Sequence, residues 1–327
     1  MTFCHPNHLL TSYNEQFSIA FWRKARYIYI RTNEWFQKGM VLFMTQPIKL
    51  VALDMDGTLF TDKLEITEEN QRTIRAAVDA GVHVIISTGR PYVGLPVEQL
   101  AELGIRYVIT SNGGGIYRIP EKECVFSNCM PPEVIAPIIR HLQTLDIQYD
   151  AFIEGNRYRE SNRQHIVDRL TQFPAATRTF VKNNAIFVED LASFIEERGL
   201  DVEKMTINFY PLADGTYKDR DATWNYLSAN PQVTALCGGY MNVEYTMSGT
   251  TKAVGLRFLA DMLGVPMECT MACGDTQNDA DIMQAAAVGV AMGNASNEIK
   301  AIADFITKSN NDSGVAYAIE KFVFGKE

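Results

Sequence analysis

Two aspartates one residue apart, Asp54 and Asp56, close the apolar run Lys49-Leu50-Val51-Ala52-Leu53 and lead at once into Gly57 and Thr58. A continuous apolar run is how a buried parallel strand reads, because helices cover both of its faces. Ligands of open α/β sheets sit beyond the carboxyl ends of such strands, where Asp54 stands. The period of two puts Asp54 and Asp56 on the same side if extension persists. Carboxylates that close raise each other's proton affinity unless a cation intervenes, and Mg²⁺, which favours oxygen ligands and keeps several waters, suits the need. An Asp-Gly pair alone also marks an ordinary turn.

Other strand ends resolve that ambiguity. Val82–Ser87 empties into Thr88-Gly89-Arg90-Pro91, Tyr107–Ser111 into Asn112-Gly113-Gly114-Gly115, and Thr270–Cys273 into Gly274-Asp275-Thr276-Gln277-Asn278-Asp279. A hydroxyl followed by glycine, as at Thr88, can offer its Oγ and nearby N–H groups to a phosphate oxygen. Lys252 falls in the first turn of the helical pattern Thr250–Leu263. A cation there opposes the helix dipole, so a local anion explains it. One polar strand end, or one solvated lysine, needs no function; recurrence along one rim of a sheet points to a site. The acidic clusters lack the alternating ligands and late Glu of a calcium loop. No Walker segment is present, and no Gly-x-Gly-x-x-Gly follows the first strand, which speaks against a dinucleotide enzyme.

The elements that must position these residues follow from periodicity. A helix over Ile66–Ala80, closed by Gly81, links two strands into a βαβ unit with parallel pairing. A second helix is expected over Val93–Leu103. From Ile116 to about Tyr245 the pattern changes. Gly115–Val125 reads as a hairpin around Pro120 and Glu121, followed by helices at Pro132–Leu145, Gln164–Leu170, Asp190–Arg198 and Asp219–Leu227. Strands are expected at Ile147–Ile153, Lys204–Tyr210, Val233–Cys237 and Met241–Thr246, and Gln172–Asn184 shows no clear pattern. That mixture suggests an inserted α+β module. Helix and strand then alternate again through Ala280–Ala287, Val288–Met292 and Phe305–Thr307, with Ser309–Gly314 opening a last helix. The fold class is α/β: a Rossmann-like parallel-sheet core over 44–120 and 246–327, with an α+β domain inserted over 121–245.

At 327 residues, 46% hydrophobic and 21% charged, the chain has ample core for two domains. A net charge of −9 speaks against nucleic acid or an anionic membrane as main partner. An anionic substrate stays open to a local cluster of Lys, Arg and metal. Six scattered cysteines form neither a disulfide framework nor a paired zinc site and suit reduced, mostly buried thiols in a cytoplasmic protein. No run reaches the ~18 apolar residues of a membrane helix. Residues 1–43 mix His5, His8, Trp22, Arg23, Arg26, Arg31 and Trp35 without a period, with a strand-like patch at Tyr27–Ile30 and a helix start at Asn33–Lys38. They read as an extension outside the fold, from an upstream start codon, with Met44-Thr45-Gln46-Pro47 the natural beginning. The functional alternative is an amphipathic anchor or partner-binding arm.

Taken together, Asp54-Met55-Asp56-Gly57-Thr58, Ser87-Thr88-Gly89-Arg90, Lys252 and Gly274-Asp275-Thr276-Gln277-Asn278-Asp279 resemble the four motifs of the haloacid dehalogenase superfamily. Met292-Gly293-Asn294-Ala295 and Asn310-Asn311-Asp312-Ser313-Gly314-Val315 resemble its Cof-type sugar-phosphatase branch, and the inserted segment resembles that branch's type IIB cap. The resemblance covers residues 47–327. One departure is Gly113-Gly114-Gly115, where relatives often carry a single glycine and alanine. The resemblance implies a Mg²⁺-dependent phosphatase acting on a small phosphorylated metabolite: a sugar phosphate, pyridoxal phosphate or flavin mononucleotide. Asp54 would be the nucleophile and Asp56 the acid/base. Asp54, Asp275 and the backbone carbonyl of Asp56 would hold the metal. Met55, Thr88, Gly89, Lys252 and Asn278 would bind phosphoryl oxygens, with Asp279 and Asn112 in support. Tyr149, Arg157, Tyr158, Arg159 and Asn208 are candidates to face the cleft. The alternatives are a phosphomutase of the same architecture and a non-enzymatic phospho-accepting signalling module; an inserted cap and a second carboxylate speak against the latter.

Overall fold

The computed structural model describes residues 46–183, 185–238 and 241–326. Everything expected of residues 1–43, including the strand-like patch and the helix start, lies outside them. Among the described residues the chain runs through β1 (Leu50–Leu53), β2 (His83–Ser87), β3 (Tyr107–Thr110), β4 (Gly115–Arg118) and β5 (Glu123–Ser127). Next come β6 (Gln148–Ile153), β7 (Asn156–Glu160), β8 (Ile186–Val188), β9 (Lys204–Asn208), β10 (Val233–Cys237) and β11 (Val243–Met247). β12 (Thr270–Gly274), β13 (Val288–Ala291) and β14 (Phe305–Ile306) follow. The first and last sets form an eight-stranded sheet in the order β14-β13-β12-β1-β2-β3-β4-β5, and the middle set a six-stranded sheet in the order β10-β11-β9-β6-β7-β8.

β1 pairs in parallel with β12 and β2, Leu53 lying opposite Cys273 on one side and Ile86 on the other. It is buried on both faces, which is why it reads as an unbroken apolar run. Val51 and Leu53 join Ile74, Ala77, Ala318 and Ile319 in one core layer. Leu50 and Ala52 pack with Leu256, Leu259 and Met283 in the other. The sheet is thus wound on both sides, and its parallel strands end at one rim. Helix Glu68–Asp79 starts where Thr67 accepts the Asn70 N–H, and Gly81 follows it at φ +83°. The helix expected over Val93–Leu103 is split into a 3₁₀ turn at Tyr92–Gly94 and a helix at Val97–Glu102. Pro96 is the cause, since its ring forbids continuation from the preceding turn.

β4 and β5 extend the large sheet as an antiparallel hairpin. The expected crossing at residue 120/121 therefore falls inside that hairpin, and the chain leaves the large sheet only after Ser127, returning at helix Lys252–Met262. Gly113 stands against this return. Its φ is +104°, and a Cβ there would strike the Thr251 carbonyl. A Cβ at Gly114 would meet the Glu203 carbonyl at 2.6 Å. Close approach of the connecting backbone accounts for Gly113 and Gly114, while a Cβ at Gly115 would meet the Tyr117 ring.

The six-stranded sheet has its own core. Tyr149, Ala151, Ile153, Met205, Ile207 and Tyr245 face helices Pro132–Gln143 and Leu191–Arg198. The alternate residues, among them Asp150, Phe152, Lys204, Thr206 and Asn208, point into the cleft above Asp54. The unreadable stretch near Gln172–Asn184 holds helix Ala175–Asn183. β7 and β8 were not expected. β7, Asn-Arg-Tyr-Arg-Glu, carries too much charge to read as a buried strand. Of the described cysteines, Cys269 and Cys273 are buried, Cys129 half-buried, and Cys124 and Cys237 exposed, so the thiols are not mostly buried.

Candidate active site

The parallel strands of the large sheet carry their terminal polar groups to one place. Carboxylate oxygens of Asp54, Asp275 and Asp279 all lie within 4.8 Å of one another. Lys252, buried at the start of its helix, donates to Asp54 Oδ1 at 2.7 Å and to Asp279 Oδ1 at 2.6 Å. The unfavourable end of the helix dipole is thereby offset by two anions. Burial alone would lower the Lys252 pKa; Asp279 and Asp54 outweigh it and hold the ammonium charged.

Asp279 is positioned by its own turn. Thr276 and Asp279 form a capping box, and Asp279 Oδ2 accepts the N–H groups of Asp275 at 3.0 Å and Thr276 at 3.1 Å. With Lys252 on its other oxygen, Asp279 is fully engaged. Among the described residues, the Asp275 carboxylate accepts one bond, from the Thr58 hydroxyl at 3.1 Å, and the Asp54 carboxylate accepts only from Lys252. These two keep oxygens to spare. Gly57, at φ +78°, closes the turn between them, and a Cβ there would collide with the Asp275 carboxylate.

The charges do not balance. Burial, reinforced by Asp279, pushes the Asp54 carboxyl up to about 8, against the pull of Lys252. Burial and Asp279 also push Asp275 up to about 6. Three carboxylates around one ammonium, two of them with free oxygens, are a donor set that fits a hard divalent cation.

Beside this cluster, Thr88 is buried and its Oγ accepts the Arg90 N–H at 3.1 Å, leaving its hydroxyl proton to donate. Asn278 Nδ2 donates to Asn112 Oδ1 at 3.2 Å, which brings the loops after β3 and β12 together. Asn112 sits at φ +57°, a conformation asparagine tolerates. The Met55 side chain lies in the core, so only its backbone can serve the site. Asp56 is exposed and gripped by Arg90, whose Nε and Nη2 reach its two oxygens at 2.7 and 2.5 Å. The motif residues Asp54, Met55, Asp56, Thr88, Gly89, Asn112, Lys252, Asp275, Asn278 and Asp279 thus gather at one rim, on the loops after the strands and at the start of helix Lys252–Met262.

Of the opposite wall, sequence reasoning reached only Arg157 and Asn208. A cleft of about 610 Å³ separates this rim from the six-stranded sheet. Lys204 crosses it, donating to the Gly89 carbonyl at 2.6 Å and to Glu244 Oε2 at 2.9 Å. Asn112 Nδ2 reaches the same Glu244 oxygen at 3.4 Å. Arg90 stood in a quoted motif without a role, whereas Lys204 and Glu244 carried no local signal. Of the expected cap residues, Arg157 and Asn208 line the cleft. Tyr149 and Tyr158 pack in the sheet's own core, and Arg159 is buried against Asp150 at 2.7 and 2.9 Å.

A family model described as haloacid dehalogenase-like hydrolase matches residues 51–319. Among curated proteins, the chain is similar to Phosphatase YwpJ of Bacillus subtilis (strain 168), 29% identical over 84% of this chain and 99% of that protein. It is also similar to the 5-amino-6-(5-phospho-D-ribitylamino)uracil phosphatase YcsE of the same organism, 32% identical over 84% of this chain and 96% of that one. Among solved structures, a haloacid dehalogenase-like hydrolase from B. subtilis superposes with a TM-score of 0.69 at 28% identity, covering 84% of this chain and 99% of that one.

Proposed function

Since the chain belongs to the haloacid dehalogenase-like hydrolases and is a phosphatase, we propose that it hydrolyses small phosphorylated metabolites in a Mg²⁺-dependent reaction through an aspartyl-phosphate. The observation that carries this reading is the convergence of the Asp54, Asp275 and Asp279 carboxylates, with the Lys252 ammonium bridging Asp54 and Asp279. In it, an Asp54 carboxylate oxygen attacks phosphorus and the ester P–O bond breaks. Asp56 serves as the general acid that gives a proton to the departing alkoxide. Asp56 then takes a proton from water, whose oxygen attacks phosphorus; the bond to Asp54 breaks and inorganic phosphate leaves. Asp54, Asp275 and the Asp56 backbone carbonyl would hold Mg²⁺, which when bound supplies positive charge against the phosphoryl oxygens. Lys252, Thr88, Asn278 and the backbone at Met55 and Gly89 orient those oxygens, Asn112 braces Asn278, and Asp279 holds Lys252.

The six-stranded sheet acts as the type IIB cap, limiting water and selecting the alcohol portion. Its cleft face mixes Thr206, Asn208 and Asn242 with Phe152 and Phe173. The buried Asn242 Oδ1 has no hydrogen-bond partner among the described residues. That mixture suits a polyhydroxylated ester, a sugar or polyol phosphate, in keeping with the ribityl phosphate named for the B. subtilis relative. The test is phosphate release by purified protein across a panel of phosphorylated metabolites, before and after metal removal and Mg²⁺ return. Turnover that needs a bisphosphate activator would mark a phosphomutase. A phosphoaspartate that persists without turnover would mark a signalling module. Metal-independent hydrolysis would overturn the Mg²⁺ assignment.

A further inference from the structure

Two motifs of the sequence, Met292-Gly293-Asn294-Ala295 and Asn310-Asn311-Asp312-Ser313-Gly314-Val315, take no part in the reaction just described. Both send asparagine side chains to the turn that follows the paired aspartates. Asn294 Nδ2 donates to the Gly57 carbonyl at 2.8 Å, and its Oδ1 accepts the Asn310 N–H at 3.0 Å. Asn310 Nδ2 donates to the Phe60 carbonyl at 3.0 Å and to Asp62 Oδ1 at 3.1 Å. Asn311 exchanges a pair of bonds with Asp62, donating to Oδ2 at 2.9 Å and accepting the Asp62 N–H at 3.1 Å.

We propose that Asn294 and Asn310 are positioning residues that clamp the 57–62 turn and so set where Asp56 stands relative to Asp54. The inference rests on the phosphatase reading above. Three features support it. First, both carbonyls that bracket the turn are held from outside it, Gly57 by Asn294 and Phe60 by the buried Asn310. Second, the turn is packed on its other side by Asp275, through the Thr58 hydroxyl and the space only a glycine leaves at 57. Third, the Phe60 ring lies 5.5 Å from the Arg90 guanidinium that grips Asp56, so a shift at Phe60 reaches Asp56 by a second route. An amide suits the task because it donates and accepts at once. Asn294 does both, which links the two clamping residues. Asp62, with amide donors from Asn311 and Asn310, is held below the ordinary carboxylate range and adds a charged anchor at the far end.

A general acid is worth about 10² to 10⁴ in rate, and small misplacements of reacting groups cost much of such a gain. Asn294 is exposed, so Asn294→Ala should fold normally; Asn310→Ala is its buried counterpart. The measurement is kcat/KM on p-nitrophenyl phosphate, whose leaving group needs little protonation, and on glycerol 1-phosphate, whose alkoxide needs it. Asn294→Ala should lose about ten-fold on the glycerol ester and less than about two-fold on the aryl ester, with Asn310→Ala showing a larger gap. Equal losses on both esters, or none, would overturn the clamp. Hydrogen exchange gives a readout that needs no turnover. The 57–64 segment should exchange faster in both variants, with β1 and β12 unchanged, and unaltered exchange there overturns the inference. Wild-type protein inactive on every ester would instead count against the phosphatase reading, while exchange would still decide the clamp.

Discussion

The two sheets bury polar groups in opposite ways. In the eight-stranded sheet the central parallel strands β1, β2 and β12 are largely apolar, and the polar residues stand where the backbone leaves the sheet, as Asp54, Thr88 and Asp275 do. In the six-stranded sheet the charge lies mid-strand. Asp150 on β6 accepts from Nε and Nη2 of Arg159 on β7 and has Arg157 at 3.7 Å, with all three side chains nearly inaccessible. The first arrangement gathers reactive groups around one point of the rim. The second builds a rigid, hydrogen-bonded roof whose cleft face is polar. On the function proposed above, chemistry belongs to the rim and selection to the roof, and substitutions can pull the two apart.

The largest effect is expected at the rim. Asp54→Asn should lower kcat by on the order of 10⁴-fold or more, as loss of a covalent nucleophile does. Phosphate release measures it, and circular dichroism should show the fold retained. Activity near wild type would break the assignment of chemistry to the rim.

Under the roof the loss should be one of stability. Asp150→Ala leaves two buried guanidinium groups without their shared carboxylate, and breaking such a buried pair costs about 3–5 kcal/mol. Urea unfolding should report it, with hydrolysis of p-nitrophenyl phosphate surviving below the transition. Catalytic loss without destabilisation would mean that the roof shares in the chemistry.

The same contrast explains what was legible. A strand end that carries Asp, Thr or Asn after an apolar run is visible locally, so the rim could be assembled without knowing which strands pair. Asp150 and Arg159 lie nine positions apart on two strands whose antiparallel register puts Ala151 opposite Tyr158. Neither looks buried until that register is known, because Arg and Asp are mostly exposed unless paired. β7 was missed for that reason. Lys204 was missed because its partner Gly89 is 115 positions away. Pro96 was the reverse case, a local signal outvoted by the helical pattern around it.

A smaller effect links pH to the metal. With their carboxyls pushed to about 8 and about 6, Asp54 and Asp275 contribute stability that is complete below the ordinary carboxylate range. It is lost as pH rises through 6 and then 8, because the ionised forms are the costly ones in the folded chain. A divalent cation favours those ionised forms. The Mg²⁺-induced rise in melting temperature should accordingly be greater near pH 8.5 than near pH 5.5. A saturating cation at about 100 times its Kd adds about 2.7 kcal/mol. Thermal melts with and without Mg²⁺ at the two pH values decide it, and a pH-independent rise would remove these carboxylates as the metal site.

The smallest expected effect tests the join between the sheets. Lys204 is buried, and its ammonium lies 5.5 Å from the centre of the Phe152 ring and spans the Gly89 carbonyl and Glu244. Lys204→Met keeps the stem and removes the charge. One hydrogen bond and one ion pair at the cleft mouth are worth about 1 kcal/mol together, or about five-fold in an equilibrium. KM for a substrate held between rim and roof should rise by about that factor, with kcat changing less than two-fold and p-nitrophenyl phosphate scarcely affected. That pattern is the mark of binding shared equally by ground and transition states. A fall in kcat of orders of magnitude at unchanged KM would place Lys204 among the groups that act on phosphorus. The two sheets would then not divide the work, since a lysine of the roof would be doing the chemistry of the rim.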